Sequence, residues 1–335
     1  MRFLTYEFFC GKGVGVKQDI SILSEGFSLL KLIAEGLKRT GNYTVVIMSS
    51  SLIEMGYRIN VDKVIETSGN ENFPDFIREK ADEEEIDFVF PIAPDLELVK
   101  IVEFLNSEFI GTVSSERCAI RIAADKFETY KVLKESGIRT PWTDLLLDDT
   151  HIYEYPVIVK DRYGISCENL SLINNSRELE TLRETLRDRD YLIIQHYING
   201  MDASVTLFSD GKNAVPISLN KQEISLGRKS SYNGGIVPSD HPQKEEAFRS
   251  AKMAVQSIKG LKGCIGVDMV IAEEPYVMEI NPRVTTSMVA LEMASDMNIA
   301  ESAVNAYMGK LPDIPRFNKK IRFTKYNGVI NFEEI

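Results

Sequence analysis

The chain has 335 residues, too many for one small core and enough for two or three packed layers or subdomains. Hydrophobic residues make up 44% and charged residues 27%, which excludes a disordered or fibrous chain. With 39 Lys+Arg against 50 Asp+Glu the net charge is −11, the wrong sign for a protein whose main partner is a nucleic-acid backbone.

In chain order, Met1-Arg2-Phe3-Leu4 begins no signal peptide and no run reaches the length of a membrane span, so no membrane partner is expected. Cys10, Cys118, Cys167 and Cys264 lie far apart without a CxxC pair, which argues against zinc and disulfides and fits a reducing cytoplasm. Phe3 to Phe9 reads as a strand. Leu23, Phe27, Leu30, Ile33 and Leu37 recur at helical spacing, and Tyr43 to Met48 is a second strand. Phe88-Val89-Phe90 precedes a helix over about 95–106. Strands alternating with helices predict a parallel α/β sheet, here an N-terminal domain over 1–113.

After Ser114 the pattern changes to helices over about 115–136, Pro141, and strands near 155–160 and 191–197 with a helix between them. This reads as a small α+β lid, 114–200. From Asp202 onward, strands at 202–209 and 214–220 flank Asp210-Gly211, a two-residue hairpin signal. A helix near 243–259 and two further strands belong to a third segment, 201–335, whose tail beyond 311 carries no assignable pattern. No repeat or Pro-rich linker separates these segments, so they are expected to pack closely.

The strongest constellation is Gly266-Val267-Asp268-Met269-Val270-Ile271, then Ala272-Glu273-Glu274-Pro275, then Tyr276-Val277-Met278-Glu279-Ile280-Asn281. A four-residue turn pairs Ile271 with Tyr276 and puts Asp268 opposite Glu279 and Gly266 opposite Asn281. Opposed carboxylates have Cβ atoms about 4.5–5.5 Å apart and repel, which a divalent cation would relieve. Hard Mg²⁺ prefers carboxylate and amide oxygens with substrate phosphates, so Asp268, Glu279 and Asn281 suit a Mg-nucleotide, with Mn²⁺ as an alternative. Asn281-Pro282-Arg283 then places a guanidinium beside the acids, where it could hold a transferring phosphoryl group or merely neutralise them.

Upstream, Ala124-Asp125-Lys126-Phe127-Glu128 reads as a helix start, with Asp125 as N-cap and Glu128 completing a capping box. Lys126, in that first turn, opposes the helix dipole unless both face a phosphate. Tyr155-Pro156-Val157-Ile158-Val159-Lys160 is an apolar strand ending in a lysine before a polar loop, where a solvated charge is the plain alternative. The strand end at Gln195-His196-Tyr197-Ile198 could present backbone groups to an adenine edge, and Asp202 could accept from ribose hydroxyls.

Taken in order, Lys126, Lys160, the Gln195 to Asp202 segment, Asp268 and Glu279-Ile280-Asn281-Pro282-Arg283 resemble the ATP-grasp superfamily over nearly the whole chain. The resemblance implies an ATP-grasp fold behind a Rossmann-like N-terminal domain. It implies that Lys126 and Lys160 bind ATP phosphates, that Gln195, His196, Tyr197 and Ile198 line the adenine pocket, and that Asp202 holds the ribose. It makes Asp268, Glu279 and Asn281 the magnesium ligands, and Arg283 with Lys160 the catalytic residues. A narrower resemblance is to the archaeal and methylotroph group that includes tyramine–L-glutamate ligase of methanofuran biosynthesis. It rests on Tyr6-Glu7-Phe8-Phe9 before Gly11 to Gly15, on Ser24-Glu25-Gly26, on Ser218-Leu219-Asn220-Lys221-Gln222, on Tyr232-Asn233-Gly234-Gly235 and on Thr285-Thr286-Ser287. One departure is the loop Asp161-Arg162-Tyr163-Gly164-Ile165-Ser166, with a single glycine where many such lids are glycine-rich.

The expected reaction is attack of a carboxylate on the γ-phosphate of ATP and capture of the acyl phosphate by an amine, most specifically the γ-carboxyl of L-glutamate by tyramine. Gly234-Gly235 and Thr285-Thr286-Ser287 would bring donors to the acid, or serve as plain turn and cap residues. The expected partners are a small acid and a small amine, in a cytoplasmic protein compatible with a homodimer. Another amino-acid or peptide ligase of this type, or a nucleotide-binding regulatory protein without turnover, are the alternatives. Gly11-Lys12-Gly13-Val14-Gly15 fits neither GxxxxGK[ST] nor GxGxxG, and His151, His196 and His241 accompany no GxSxG.

Overall fold

The computed structural model describes residues 1–13, 20–147, 150, 152, 154–164, 170–185, 191–227, 230–326 and 328–335. Val14 and Gly15, Ile165 and Ser166 of the loop after Lys160, Cys167 and His151 lie outside the described residues. The first sheet comes from β1 (Arg2–Glu7), α1 (Phe8–Lys12), α2 (Ile20–Arg39), β2 (Tyr43–Ser49), α3 (Ser50–Glu54), β3 (Lys63–Thr67), α4 (Phe73–Glu83), β4 (Phe88–Ile92) and α5 (Asp95–Ser107). Its strands are parallel in the order β3-β2-β1-β4, and β1, β2 and β4 are almost wholly buried, as a parallel sheet covered on both faces requires. The strand expected to reach Phe9 stops at Glu7. The Glu7 side chain accepts from the Cys10 N–H at 2.7 Å and turns Phe8 and Phe9 into a helix.

Next come α6 (Arg117–Ala124), α7 (Lys126–Glu135), β5 (Thr143–Leu145), β6 (Val157–Asp161), β7 (Ser171–Ile173), α8 (Ser176–Thr185) and β8 (Leu192–His196). The four strands form an antiparallel sheet, β5-β8-β6-β7, over a core that includes Leu146, Val157, Val159, Ile173 and Ile194. Asp125 caps α7 by accepting from the N–H groups of Phe127 and Glu128 at 3.0 and 3.2 Å. The expected capping box is only half made: the Asp125 N–H goes to the Ile122 carbonyl, and Glu128 pairs with Lys131. Arg162 instead clamps Asp125 through two bonds of 2.7 and 2.6 Å, tying the loop after β6 to the helix start.

The third sheet has seven antiparallel strands in the order β13-β12-β9-β10-β11-β14-β15. It is built from β9 (Met201–Asp210), β10 (Ala214–Ser225), β11 (Ser231–Val237), α9 (Lys244–Ser257), β12 (Lys262–Ile271), β13 (Pro275–Asn281), α10 (Thr286–Ala294), α11 (Ile299–Tyr307), β14 (Ile321–Tyr326) and β15 (Val329–Glu334). The β9–β10 turn occupies Gly211 to Asn213 rather than Asp210-Gly211, because Asp210 Oδ1 accepts from the N–H groups of Lys212 and Asn213 and so closes the strand. The tail forms the edge hairpin β14–β15, with Ile321 and Phe323 buried on alternate positions. These residues share one core with Leu29, Ile33 and Leu37 of α2, Met288 and Leu291 of α10 and Ile299 of α11. That packing brings the N-terminal end of α2 to the third sheet. Among the described residues no helix is long and apolar enough to cross a membrane.

Candidate active site

The β12–β13 hairpin places Asp268 opposite Glu279 and Gly266 opposite Asn281. The route differs from the four-residue turn expected: Ile271 pairs with Pro275 across a three-residue turn, which by itself would shift the register by one. A β-bulge between Asp268 and Met269, with Met278 as the extra residue, restores it. The bulge also lets Val277 lie in the core while Glu279, two residues on, faces the cavity.

These acids line a cavity of about 200 Å³. Asn281 Nδ2 and Gln222 Nε2 donate to the two oxygens of Asp268 at 3.0 and 2.9 Å. Burial pushes the Asp268 carboxyl up, and the charge of Glu279 adds to the shift. Burial acts on Glu279 in the same sense, but Lys126 and Lys160, at 3.6 and 3.7 Å, outweigh it and hold that carboxyl low. Two half-buried carboxylates, one of them short of compensating charge, fit a hard divalent cation. Among the described residues no group of three or more His, Cys, Asp and Glu side chains gathers as a metal site. The donor set would therefore be Asp268, Glu279 and the Asn281 amide, completed by phosphate oxygens.

Lys126 and Lys160 also line this cavity, from the start of α7 and from β6. Lys126 Nζ donates to the Gly164 carbonyl at 2.6 Å, so this ammonium is tied to the loop after β6. Gln195, His196, Tyr197, Ile198 and Asp202 line the cavity too. Gln195 is buried with Nε2 on Thr143 Oγ1 at 2.9 Å, and its Oε1 is buried without a hydrogen-bond partner among the described residues. Ile158, Ile224, Leu226 and Met278 supply apolar wall of the kind a flat ring needs. Burial raises the Asp202 carboxyl.

Arg283 lines the same cavity, and its Nε donates to Asp95 Oδ1 at 2.7 Å. Burial disfavours the guanidinium charge, but Asp95 more than compensates and raises its proton affinity. Asp95 starts α5, and nothing local in the sequence links it to Arg283, 188 residues away. Gln222 belongs to the Ser218 to Gln222 segment of the narrower resemblance, which assigns it no role, and the structure places its amide on Asp268. Of the segments expected to bring donors to an acid, Thr285, Thr286 and Ser287 line the cavity. Gly234 and Gly235 instead pair with β10 and β14 on either side, because a Cβ at Gly234 would collide with the Phe323 carbonyl and one at Gly235 with that of Lys221.

A sequence profile of the ATP-grasp domain matches residues 123–287, the stretch that carries both lysines, the acid pair and Arg283. The tyramine–L-glutamate ligase of Methanocaldococcus fervens is 29% identical over 280 residues, 82% of this chain and 85% of that protein. The enzyme of the same name from Methanocaldococcus jannaschii is 34% identical over 215 residues, 62% of this chain and 59% of its relative. In overall shape the chain is similar to the biotin carboxylase domain of Hydrogenobacter thermophilus 2-oxoglutarate carboxylase, solved with MgADP, ADP and bicarbonate. The TM-score is 0.77 at 19% identity, over 96% of this chain and 74% of that one. Residues 123–287 thus match the ATP-grasp domain, and the chain as a whole has the ATP-grasp fold.

Proposed function

We propose that this protein is an ATP-dependent carboxylate–amine ligase that joins the γ-carboxyl of L-glutamate to tyramine through an acyl phosphate, releasing ADP and phosphate. The observation that carries the reading is convergence: two lysines, an opposed acid pair and an oriented arginine, drawn from α7, β6, β12, β13 and the strand end after it, line one cavity. Lys126 and Lys160 take the phosphates, with the apolar wall, Gln195 to Ile198 and Asp202 holding the nucleoside. Asp268, Glu279 and Asn281 would hold Mg²⁺, which would supply positive charge to neutralise the phosphates there. Arg283, fixed by Asp95, meets the phosphoryl group as its negative charge spreads, so catalysis is mainly positioning and electrostatics. Lys126 joins the phosphate end to the Gly164 loop, so closing that loop over the nucleotide shields the acyl phosphate from water.

The names of the two methanogen relatives support glutamate and tyramine as the substrates, and such a product would place the reaction in methanofuran biosynthesis. The test is ADP release by the purified protein with Mg-ATP, L-glutamate and a panel of amines that includes tyramine, with mass spectrometry of the products. Release that needs both substrates and yields γ-glutamyltyramine supports the reading in full. Release with another acid–amine pair keeps the ligase and replaces the substrates. Tight Mg-ATP binding without release for any pair favours a regulatory protein.

A further inference from the structure

Glu25, near the N-terminal end of α2, lines the cavity and is given no role in the nucleotide site proposed above. Its carboxylate is gripped from two distant parts of the chain. Thr286, at the start of α10 beside Arg283, donates through Oγ1 to Glu25 Oε1. Lys325 of β14 places Nζ 2.5 Å from Oε2, across a sequence separation of 300. The Lys325 side chain is only 10% exposed, and its ammonium also lies 4.6 Å above the ring of Tyr232, another wall residue. Behind Glu25, a Cβ at Gly26 would run into the carboxylate of buried Glu7, so α2 is pressed close to the end of β1.

A largely buried ion pair of this kind contributes little net stability, because desolvation offsets its attraction. Three chain segments nevertheless converge to hold one carboxylate at a cavity wall. In the ligase reading Arg283 meets the phosphoryl group that the reacting carboxylate attacks, so that carboxylate lies near it. Thr286 lies three residues beyond that arginine, so Glu25 stands on the same side of the cavity as the acid substrate. An amine that attacks must lose its proton, whereas a carboxylate held in this way suits an ammonium that takes no part in the reaction. We propose that Glu25 binds the α-ammonium group of an amino-acid substrate, and that Lys325 and Thr286 are positioning residues holding its carboxylate toward the cavity. The C-terminal hairpin thereby completes the acid pocket. This assignment rests on the ligase reading.

The test is acyl-phosphate trapping with hydroxylamine in the presence of Mg-ATP, which needs no amine substrate. The two acids compared are L-glutamate and glutarate, the same dicarboxylate without the ammonium. The wild type is expected to prefer L-glutamate. Glu25→Gln is expected to lower kcat/KM for L-glutamate by about 10–100-fold, mainly through KM, the loss of one charged hydrogen bond, and to affect glutarate far less. Lys325→Met is expected to lose part of the same preference and Lys325→Arg to regain it, while Mg-ADP binding by each variant shows that the fold is intact. Equal use of the two acids by the wild type overturns the assignment. So does a Glu25→Gln variant that keeps the wild-type preference or loses both acids alike. Absence of hydroxamate with either acid in the wild type removes L-glutamate as the acid substrate and with it the assignment of Glu25, a result separate from the others.

Discussion

Arg283 is oriented before any ligand arrives. Its fork is fixed through Nε by Asp95, so the guanidinium meets a developing charge without first losing side-chain freedom. Removing a preorganised donor of this type costs most in the transition state. Arg283→Ala is therefore expected to lower kcat by about 10²–10³-fold while the Mg-ADP Kd stays within about threefold, measured by turnover and calorimetry. A kcat equal to wild type would refute the role. Glu7 illustrates a different residue-scale effect. Burial pushes its carboxyl from 4.5 up to about 7, although the Cys10 N–H it accepts pulls the other way. Between these limits the folded chain keeps a proton that the unfolded chain has lost, so stability falls as pH rises from about 4.5 to about 7 and then levels off. Glu7→Gln keeps an oxygen for the Cys10 N–H and has no charge to bury. Chemical unfolding between about pH 5 and pH 7.5 should show the wild type losing about 2–3 kcal/mol relative to this variant. Parallel curves would mean that Glu7 titrates normally.

At the scale of elements, the β12–β13 hairpin shows how a pairing can be read while its construction is missed. The acids were legible because Asp268, Glu279 and Asn281 interrupt two otherwise apolar strands. The bulge left a weaker sign: Val277 and Ile280, both buried, stand three apart where strict alternation would put them two or four apart. Turn length and bulge each move the register by one residue, in opposite senses, and the local pattern constrains only their sum. Gly234 and Gly235 left two roles open for a related reason, since a glycine pair marks a close backbone approach without naming what approaches. Here it is β14 at Gly234 and β10 at Gly235, and Gly234 has φ +137, a conformation that side chains rarely adopt. Gly234→Ala should therefore destabilise the docking of the C-terminal hairpin by about 1–3 kcal/mol, read as a lower urea midpoint. An unchanged midpoint would show that the strand can shift without cost.

Across the whole molecule, the cavity exists only because three sheets meet. Lys126 and Lys160 come with the small antiparallel sheet, the acids with the large one, and Asp95 and Glu25 with elements of the parallel one. Periodicity told which face of each element is apolar, but it carries no information about which faces meet. Asp95 with Arg283 and Glu25 with Lys325 were invisible for that reason, at separations of 188 and 300 residues. A ligand that touches several elements at once should then stabilise the whole assembly. With Mg-ADP at a hundredfold excess over Kd, mass action adds about 2.7 kcal/mol to unfolding and raises Tm. Under the proposed function part of that gain would depend on the metal, because Asp268 and Glu279 repel each other across the hairpin and a bound cation would relieve it. Asp268→Asn removes one of the two carboxylates and so both the repulsion and a ligand. The difference in Tm between ADP with Mg²⁺ and ADP with chelator is expected to shrink sharply in this variant, measured by thermal unfolding at fixed protein concentration. If the variant keeps the full Mg²⁺-dependent shift, the acid pair does not hold the metal, and the opposed carboxylates need another explanation.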